Sequence, residues 1–214
     1  MSASRHIVAA LLGAATLLST VPASAEINGV INGRSANPAN LPERSIDVAL
    51  HERDFSREFG ARFNFGINET ITGFANAAIV TSGPIGSEGF SFGGGAFIYL
   101  PEQRIWDAVD IAIKPSINYL TIEGNFGFDL NRIALAAEAL VSGKDPIGNT
   151  ALNWYGNAGL VAVINDGSRN DSTDFEPTVG GGLYMPLGAG QLFFGADLFD
   201  GDIDFGVGYR FFLG

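Results

Sequence analysis

Residues 191–212, QLFFGADLFDGDIDFGVGYRFF, decide the fold of this chain. Their side chains alternate: in 203–211 every odd position is large and apolar, and every even position is Gly, Asp or Arg. A period of two is the signature of a β-strand, and Asp200-Gly201 is a typical turn dipeptide between two strands. The stretch therefore predicts a β-hairpin with two chemically distinct faces.

The composition of the second face tells us where this hairpin lies. In a soluble antiparallel sheet the apolar face packs on a core and the other face meets water. Repeated glycine residues are therefore not expected on the solvent-facing side. Gly206 and Gly208 beside Asp204 and Arg210 instead fit the crowded interior of a small closed barrel. We therefore predict the last hairpin of a bacterial outer-membrane β-barrel, with its apolar side chains facing lipid.

The N-terminus has the three parts of a secretory signal. Arg5 supplies the positive charge, residues 7–18 form an apolar run, and Ala23-Ser24-Ala25 is a small-residue cleavage site. We expect a signal peptide over 1–25, a loose periplasmic leader over 26–44, which is rich in turn residues, and an outer-membrane barrel over 45–214.

Composition excludes several classes of protein. A net charge of −11 argues against a nucleic-acid partner. The absence of cysteine excludes disulfides, a thiolate nucleophile and a Cys-ligated metal. After the signal there is no run of 18 apolar residues, so the chain does not cross a membrane with helices. The 29 Gly and 17 Phe residues fit strands better than helices.

Alternation along the chain predicts ten strands, with eight or twelve as alternatives. An even number places both termini on the periplasmic side. The strands are expected at 45–51, 58–67, 70–81, 90–100, 108–119, 130–141, 152–164 and 175–185, followed by the two strands of the 191–212 hairpin.

Some positions fit this pattern less well. Pro115 cannot donate a backbone hydrogen bond to a neighbouring strand, so we expect a β-bulge or a break in the strand there. Residues 121–129 are expected to form a loop, and the Ala-rich stretch 134–140 could also be helical. Phe74 has to point inward, and Trp106 could belong to an interfacial aromatic girdle.

Charges of both signs fall on the inner face. A barrel of ten strands is too narrow for the open aqueous pore that 16 strands allow. The charges therefore either line a constricted solute path or form ion pairs that plug the lumen, and we favour the plug. The predicted lumen-facing residues are Asp47, Arg62, Asp110, Lys114, Arg132, Glu138, Asp197, Asp204 and Arg210.

No motif predicts catalysis, a cofactor or a metal. His51 is the only histidine after the signal, so an enzyme acting on lipid or lipopolysaccharide would depend on it; we expect a rim histidine instead. Residues 200–204 resemble the start of a calcium loop, but Phe211 stands where a bidentate Glu is required. A soluble lipocalin-like periplasmic binder is the remaining alternative, and its apolar residues would point inward.

The layout resembles the small bacterial outer-membrane proteins, the OmpA-like and YfaZ-like single barrels. The resemblance rests on the signal ending in Ala-Ser-Ala, on the turn at 186–190 and on the final strand 207–212. It implies a monomer in the outer membrane of a Gram-negative cell, with outer-membrane lipid, lipopolysaccharide and the barrel-assembly machinery as partners. One departure is that Leu213-Gly214 follow Phe212, whereas such chains end on the aromatic residue.

Overall fold

The structure is a computed structural model that describes residues 32–53, 56–82, 88–102, 108–124, 128–167, 172–199 and 202–213. Its ten strands form one closed antiparallel sheet in which each strand pairs with its sequence neighbours and β1 pairs with β10. The strands are β1 Arg44–Arg53, β2 Ser56–Gly66, β3 Ile71–Ser82, β4 Glu88–Tyr99, β5 Val109–Gly124, β6 Phe128–Gly143, β7 Asn153–Gly167, β8 Ser172–Leu187, β9 Gly190–Phe199 and β10 Asp202–Leu213. In these ranges no helix is long and apolar enough to cross a membrane.

Local chemistry explains the tight connections at the end of the barrel where β1 begins and β10 ends. Asn68 closes the β2–β3 turn, because its side-chain oxygen accepts from the backbone N–H groups of Thr70 and Ile71. Gly188 has φ +60 in the β8–β9 turn, a conformation that glycine adopts without strain. Closure of β1 on β10 leaves no unpaired sheet edge, as a hydrocarbon environment requires.

The outer wall is apolar, whereas the inner wall carries buried charged side chains. Phe63, Phe205 and Phe211 face outward, while Arg62 and Arg210 are almost completely buried. This distribution is that of an outer-membrane β-barrel and is opposite to what a lipocalin-like binder needs. The exposed apolar side chains include Ile46, Leu50, Phe59, Phe63, Phe65, Ile79, Phe90, Phe92, Ile113, Ile117, Ile133, Leu135, Leu160, Phe175, Ile203, Phe205, Val207 and Phe211.

The predicted closed barrel of ten strands is confirmed, as is the inward position of Phe74. The loop expected at 121–129 is wrong, because β5 and β6 cover most of it and pair as far as Gly124 and Phe128. The helical alternative for 134–140 is also wrong, since this stretch pairs with both β5 and β7.

Pro115 causes neither the bulge nor the break that we expected. β5 is continuous, and Pro115 pairs in register with Ala137 of β6. On the β4 side the pairing stops at Ser116 and resumes at Ile113 with the same offset. The missing N–H of proline is thus accommodated by a local gap in one ladder, without a shift of register.

The expected leader is packed, not loose, in the part that the structure describes. Residues 32–36 are buried inside the barrel, and a short 3-10 turn, Pro38–Asn40, leads out to β1. The expected signal peptide, residues 26–31, Trp106 and the expected turn at Asp200-Gly201 lie outside the described residues.

Candidate functional site

The lumen is packed because large inward side chains lie over glycines of the neighbouring strands. A Cβ at Gly208 would collide with the ring of Phe193, and one at Gly180 would collide with the carboxylate of Asp197. A Cβ at Gly93 would meet the side chain of Asn118 in the same way. The inward glycines thus leave the space that these side chains occupy. Two polar networks occupy the interior.

The first network, the arginine cluster, is built around Asp47 where the barrel closes. Asp47 is the register partner of Arg62 on β2 and of Arg210 on β10. Arg62 donates to Asp47 Oδ2 from Nε at 3.1 Å and from Nη2 at 2.8 Å. Arg210 donates from Nε to Oδ1 at 2.7 Å and from Nη2 to Oδ2 at 2.9 Å. One buried carboxylate therefore accepts four charge-assisted hydrogen bonds.

Aromatic rings hold these guanidinium groups in place. The rings of Phe74 and Phe97 lie 5.1 Å apart, and Arg62 Cζ is 5.7 Å and 5.8 Å from their centroids. Arg210 Cζ is 5.6 Å from the centroid of Phe193, and its Nη1 donates to Gln191 Oε1 at 3.1 Å. Each arginine is thus fixed by a ring face as well as by Asp47.

Arg34, from the leader, is the third arginine of this cluster. Its Cζ is 3.9 Å from the centroid of Phe97, and its Nη1 lies 3.5 Å from Asn64 Oδ1. The backbone carbonyl of Asn32 accepts from Arg62 Nη2 at 3.1 Å. The leader is therefore bound directly to side chains of β2 and β4.

The leader also reaches the opposite side of the barrel. Ser142 Oγ on β6 accepts from the N–H of Ala36 at 2.9 Å and lies 3.3 Å from Ser35 Oγ. Gly33, with φ +45, lies against the ring of Phe193 on β9, where a Cβ would collide with the ring. Residues 32–36 thus contact four strands around the barrel and cross the lumen.

The second network, the lysine network, connects β5, β6, β7 and β9. Lys114 pairs with Glu138, its register partner, and both are buried. Asn157 Nδ2 donates to Glu138 Oε1 at 3.0 Å and to Asp197 Oδ1 at 3.3 Å. Asp197 is the register partner of Asp204, but its carboxylate lies over Gly180, towards Asn157. Repulsion between directly opposed carboxylates favours this arrangement.

Of the nine predicted lumen residues, eight are buried: Asp47, Arg62, Asp110, Lys114, Glu138, Asp197, Asp204 and Arg210. Three of these form the arginine cluster and three belong to the lysine network. Asp110 accepts from the hydroxyl of Tyr99 at 2.9 Å. Arg132 is half-buried and donates to Asn165 Oδ1 at 2.7 Å.

Four buried ionisable residues were not among the predicted lumen residues: Arg34, His51, Glu58 and Glu176. His51 is inside a strand and 3 % exposed, opposite Glu58 in the register, so it is not a rim histidine. Alternation could have found Glu58, because it shares the inward face with Arg62. Arg34 has no such signal, since no periodicity surrounds it.

Part of the wall of β3, β5, β6 and β7 beyond these networks is apolar. Six buried residues form one cluster there: Val80, Leu120, Ala134, Ala136, Val161 and Val163. In the described ranges no group of three or more His, Asp or Glu side chains is arranged to hold a metal ion. The interior thus offers ion pairs and apolar packing, without a recognisable catalytic or metal centre among the described residues.

Comparisons with known proteins give little beyond the fold. No protein-family model matches the chain, and no curated protein matches its sequence. Among solved structures the chain is similar to the KdgM porin, with a TM-score of 0.38, 9% identity, and coverage of 79% of this chain and 99% of the porin. A second structure, the KdgM porin in complex with disordered oligogalacturonate, gives a TM-score of 0.39 at the same identity and coverage. Similarity at this level carries no inference about what this chain transports or binds.

Proposed function

We propose that this chain is a structural outer-membrane barrel whose lumen is closed by its own leader and by buried ion pairs. The observation that carries the proposal is the path of residues 32–36, which contact β2, β4, β6 and β9. Ser35 is 0% exposed and Arg34 is 1% exposed, so both side chains are shut off from bulk solvent.

The energetics favour a stably closed state. Any rearrangement that opened the arginine cluster would separate Asp47 from Arg62 or Arg210. Breaking a buried ion pair by removing one partner costs about 3–5 kcal/mol, because the other charge is left uncompensated. The leader adds hydrogen bonds worth about 1 kcal/mol each. Thermal fluctuation alone therefore opens the lumen rarely.

Conductance in a planar bilayer tests this proposal. The full chain is expected to give no steady current, whereas a chain lacking residues 32–36 is expected to give small, frequent openings. An Ala39→Ser variant is the matched control, because Ala39 lies in the same leader but is exposed. A steady open-pore current from the full chain would overturn the closed-barrel proposal.

A narrow channel gated by the leader is the second candidate. The support for a gate is that residues 32–36 are held inside the barrel by non-covalent contacts, which can break and re-form. The chain has no cysteine, and Ser35 Oγ lies 3.3 Å from Ser142 Oγ, so a Ser35→Cys/Ser142→Cys pair can lock the leader to β6. A gated channel is closed by oxidation of this pair and reopened by a reductant. A structural barrel conducts in neither state.

The remaining expectations form part of this proposal. The apolar outer wall supports outer-membrane lipid and lipopolysaccharide as the surroundings, assembly by the barrel-assembly machinery, and a monomer. The final strand and the Gly188 turn support kinship with the OmpA-like and YfaZ-like single barrels. A signal peptide over 1–25 and a mature chain beginning at Glu26 belong to the same proposal.

We also propose that the barrel has no catalytic role. The support is the position of His51, which faces the lumen and not the lipid that an acyl-transfer enzyme would attack. Activity in a lipid acyl-release assay that is lost in a His51→Ala variant would contradict this.

A further inference from the structure

The arginine cluster has more positive than negative charge. Arg34, Arg62 and Arg210 surround a single carboxylate, Asp47, and all four side chains are at most 2% exposed. Arginine stays protonated in proteins, so burial does not remove these charges. The cluster therefore carries an excess of two positive charges in a region that is closed to bulk solvent.

The carboxylates of the lysine network, and Asp110 outside it, have their own partners. Glu138 binds Lys114 and Asn157, and Asp197 binds Asn157. Asp110 binds the Tyr99 hydroxyl and lies 3.9 Å from Lys144 Nζ. These groups do not bind Arg34 and so do not neutralise it at short range.

One guanidinium nitrogen in this cluster shows where a counterion would bind. Arg34 Nε donates to the backbone carbonyl of Ser35 at 3.3 Å, and Nη1 lies 3.5 Å from Asn64 Oδ1. Within the described part of the chain, Nη2 is buried and has no hydrogen-bond partner. A buried charged donor of this kind costs several kcal/mol unless a group outside the protein accepts from it.

We propose that Arg34 Nη2 binds a small monovalent anion of the chloride class inside the barrel. A water molecule could accept the same hydrogen bond, but it would leave the two excess charges uncompensated, whereas an anion neutralises one of them. The site is enclosed, because Asn32, Ser35 and Ala36 are all at most 3% exposed, and a small ion displaces fewer packed atoms than a bulky oxyanion would. The anion is trapped when the leader enters the lumen.

Bromide identifies the ion directly. Crystals of the full chain grown in bromide are expected to show an anomalous peak at hydrogen-bonding distance from Arg34 Nη2. Density without an anomalous signal at that position means water and overturns the proposal. A bromide peak found only elsewhere in the barrel overturns it as well.

Unfolding in solution measures whether the ion stabilises the fold. At constant ionic strength, replacing gluconate by chloride is expected to raise the unfolding temperature of the detergent-solubilised chain by roughly 3 °C for each tenfold increase above the dissociation constant. An Arg34→Gln variant is expected to lose this dependence. An Arg57→Gln variant is expected to keep it, because Arg57 is an exposed arginine of β2.

The two measurements cover the case in which Arg34→Gln fails to assemble, because the bromide experiment needs only the natural chain. Equal unfolding temperatures of the natural chain in chloride and gluconate contradict a stabilising ion. An equal chloride dependence in a folded Arg34→Gln variant places the ion elsewhere and contradicts the site.

Discussion

The two polar networks inside this barrel have opposite ratios of acidic to basic side chains. The arginine cluster has one acid among three bases, and its parts come from the closing seam and the leader. The lysine network has one base for two acids, connected through the amide of Asn157. The cluster therefore depends on one residue, Asp47, whereas the network distributes its charge over several partners. This difference predicts unequal responses to substitution.

The largest expected effect is that of Asp47→Asn. The change leaves Arg62 and Arg210 buried without a carboxylate, so we expect a loss of about 3–5 kcal/mol in the free energy of unfolding. Glu138→Gln removes one of the two oxygens that accept from Lys114 and Asn157, but Asp197 remains as a carboxylate in the same network, so this change is expected to cost less. Urea unfolding in lipid vesicles compares the two variants. An equal or larger loss for Glu138→Gln would contradict the contrast between the networks.

Glycine substitutions distinguish rigid from adaptable packing in the two networks. Gly208→Ala forces a Cβ into the ring of Phe193 and towards the Val48 carbonyl, so we expect a loss of about 1–3 kcal/mol. Gly180→Ala meets mainly the carboxylate of Asp197, which can rotate away, so its cost is expected to be smaller. Gly156→Ala is the control, because its Cβ would make only ordinary contacts. The temperature at which gel mobility changes on heating ranks the three.

Removing the Ser142 hydroxyl of β6 weakens the contacts that hold the leader in the lumen. Ser142→Ala deletes the acceptor for the N–H of Ala36 and the contact with Ser35, at a cost of about 1 kcal/mol. Hydrogen exchange at residues 33–36 is expected to speed up, while exchange in β5 and β6 stays unchanged. Uniformly faster exchange would mean that the substitution destabilises the whole barrel instead.

The smallest effect is expected at a surface pair. Arg57 and Glu52 lie 3.0 Å apart, with side chains 70% and 58% exposed. Such pairs contribute about 0–1 kcal/mol and are screened by salt. Glu52→Gln is therefore expected to shift the urea midpoint slightly, and less so in high salt. A loss comparable to that of Asp47→Asn would refute the link between burial and cost.

The fold was largely predictable from the sequence because one face of each strand meets lipid and the other meets a crowded lumen. Residues 58–66 and 203–211 display this alternation plainly, and it places Arg62 and Arg210 on the inner face. The pairing of both with Asp47 could not be predicted, because it depends on the register between the first and last strands. The loop predicted between β5 and β6 was too long, because both strands extend beyond the residues whose apolar and polar side chains alternate most clearly.

The packed leader could not be predicted for a different physical reason. Residues 32–40 contain turn residues without periodicity, and a solvated linker has the same sequence pattern. Their order comes from tertiary contacts, such as Arg34 on Phe97 and Ser35 near Ser142, that exist only once the barrel has closed. Such contacts cannot be predicted from the local sequence.

Thiol labelling can decide whether the leader fills the lumen, because the chain has no cysteine of its own. Ala36→Cys and Ala39→Cys lie three positions apart, one 1% exposed and the other exposed. With a charged maleimide on the folded barrel, we expect rapid labelling at position 39 and strong protection at position 36 until the chain is unfolded. Equal rapid labelling at both positions would show that the leader lies outside the lumen and would contradict a barrel closed by its own N-terminal segment.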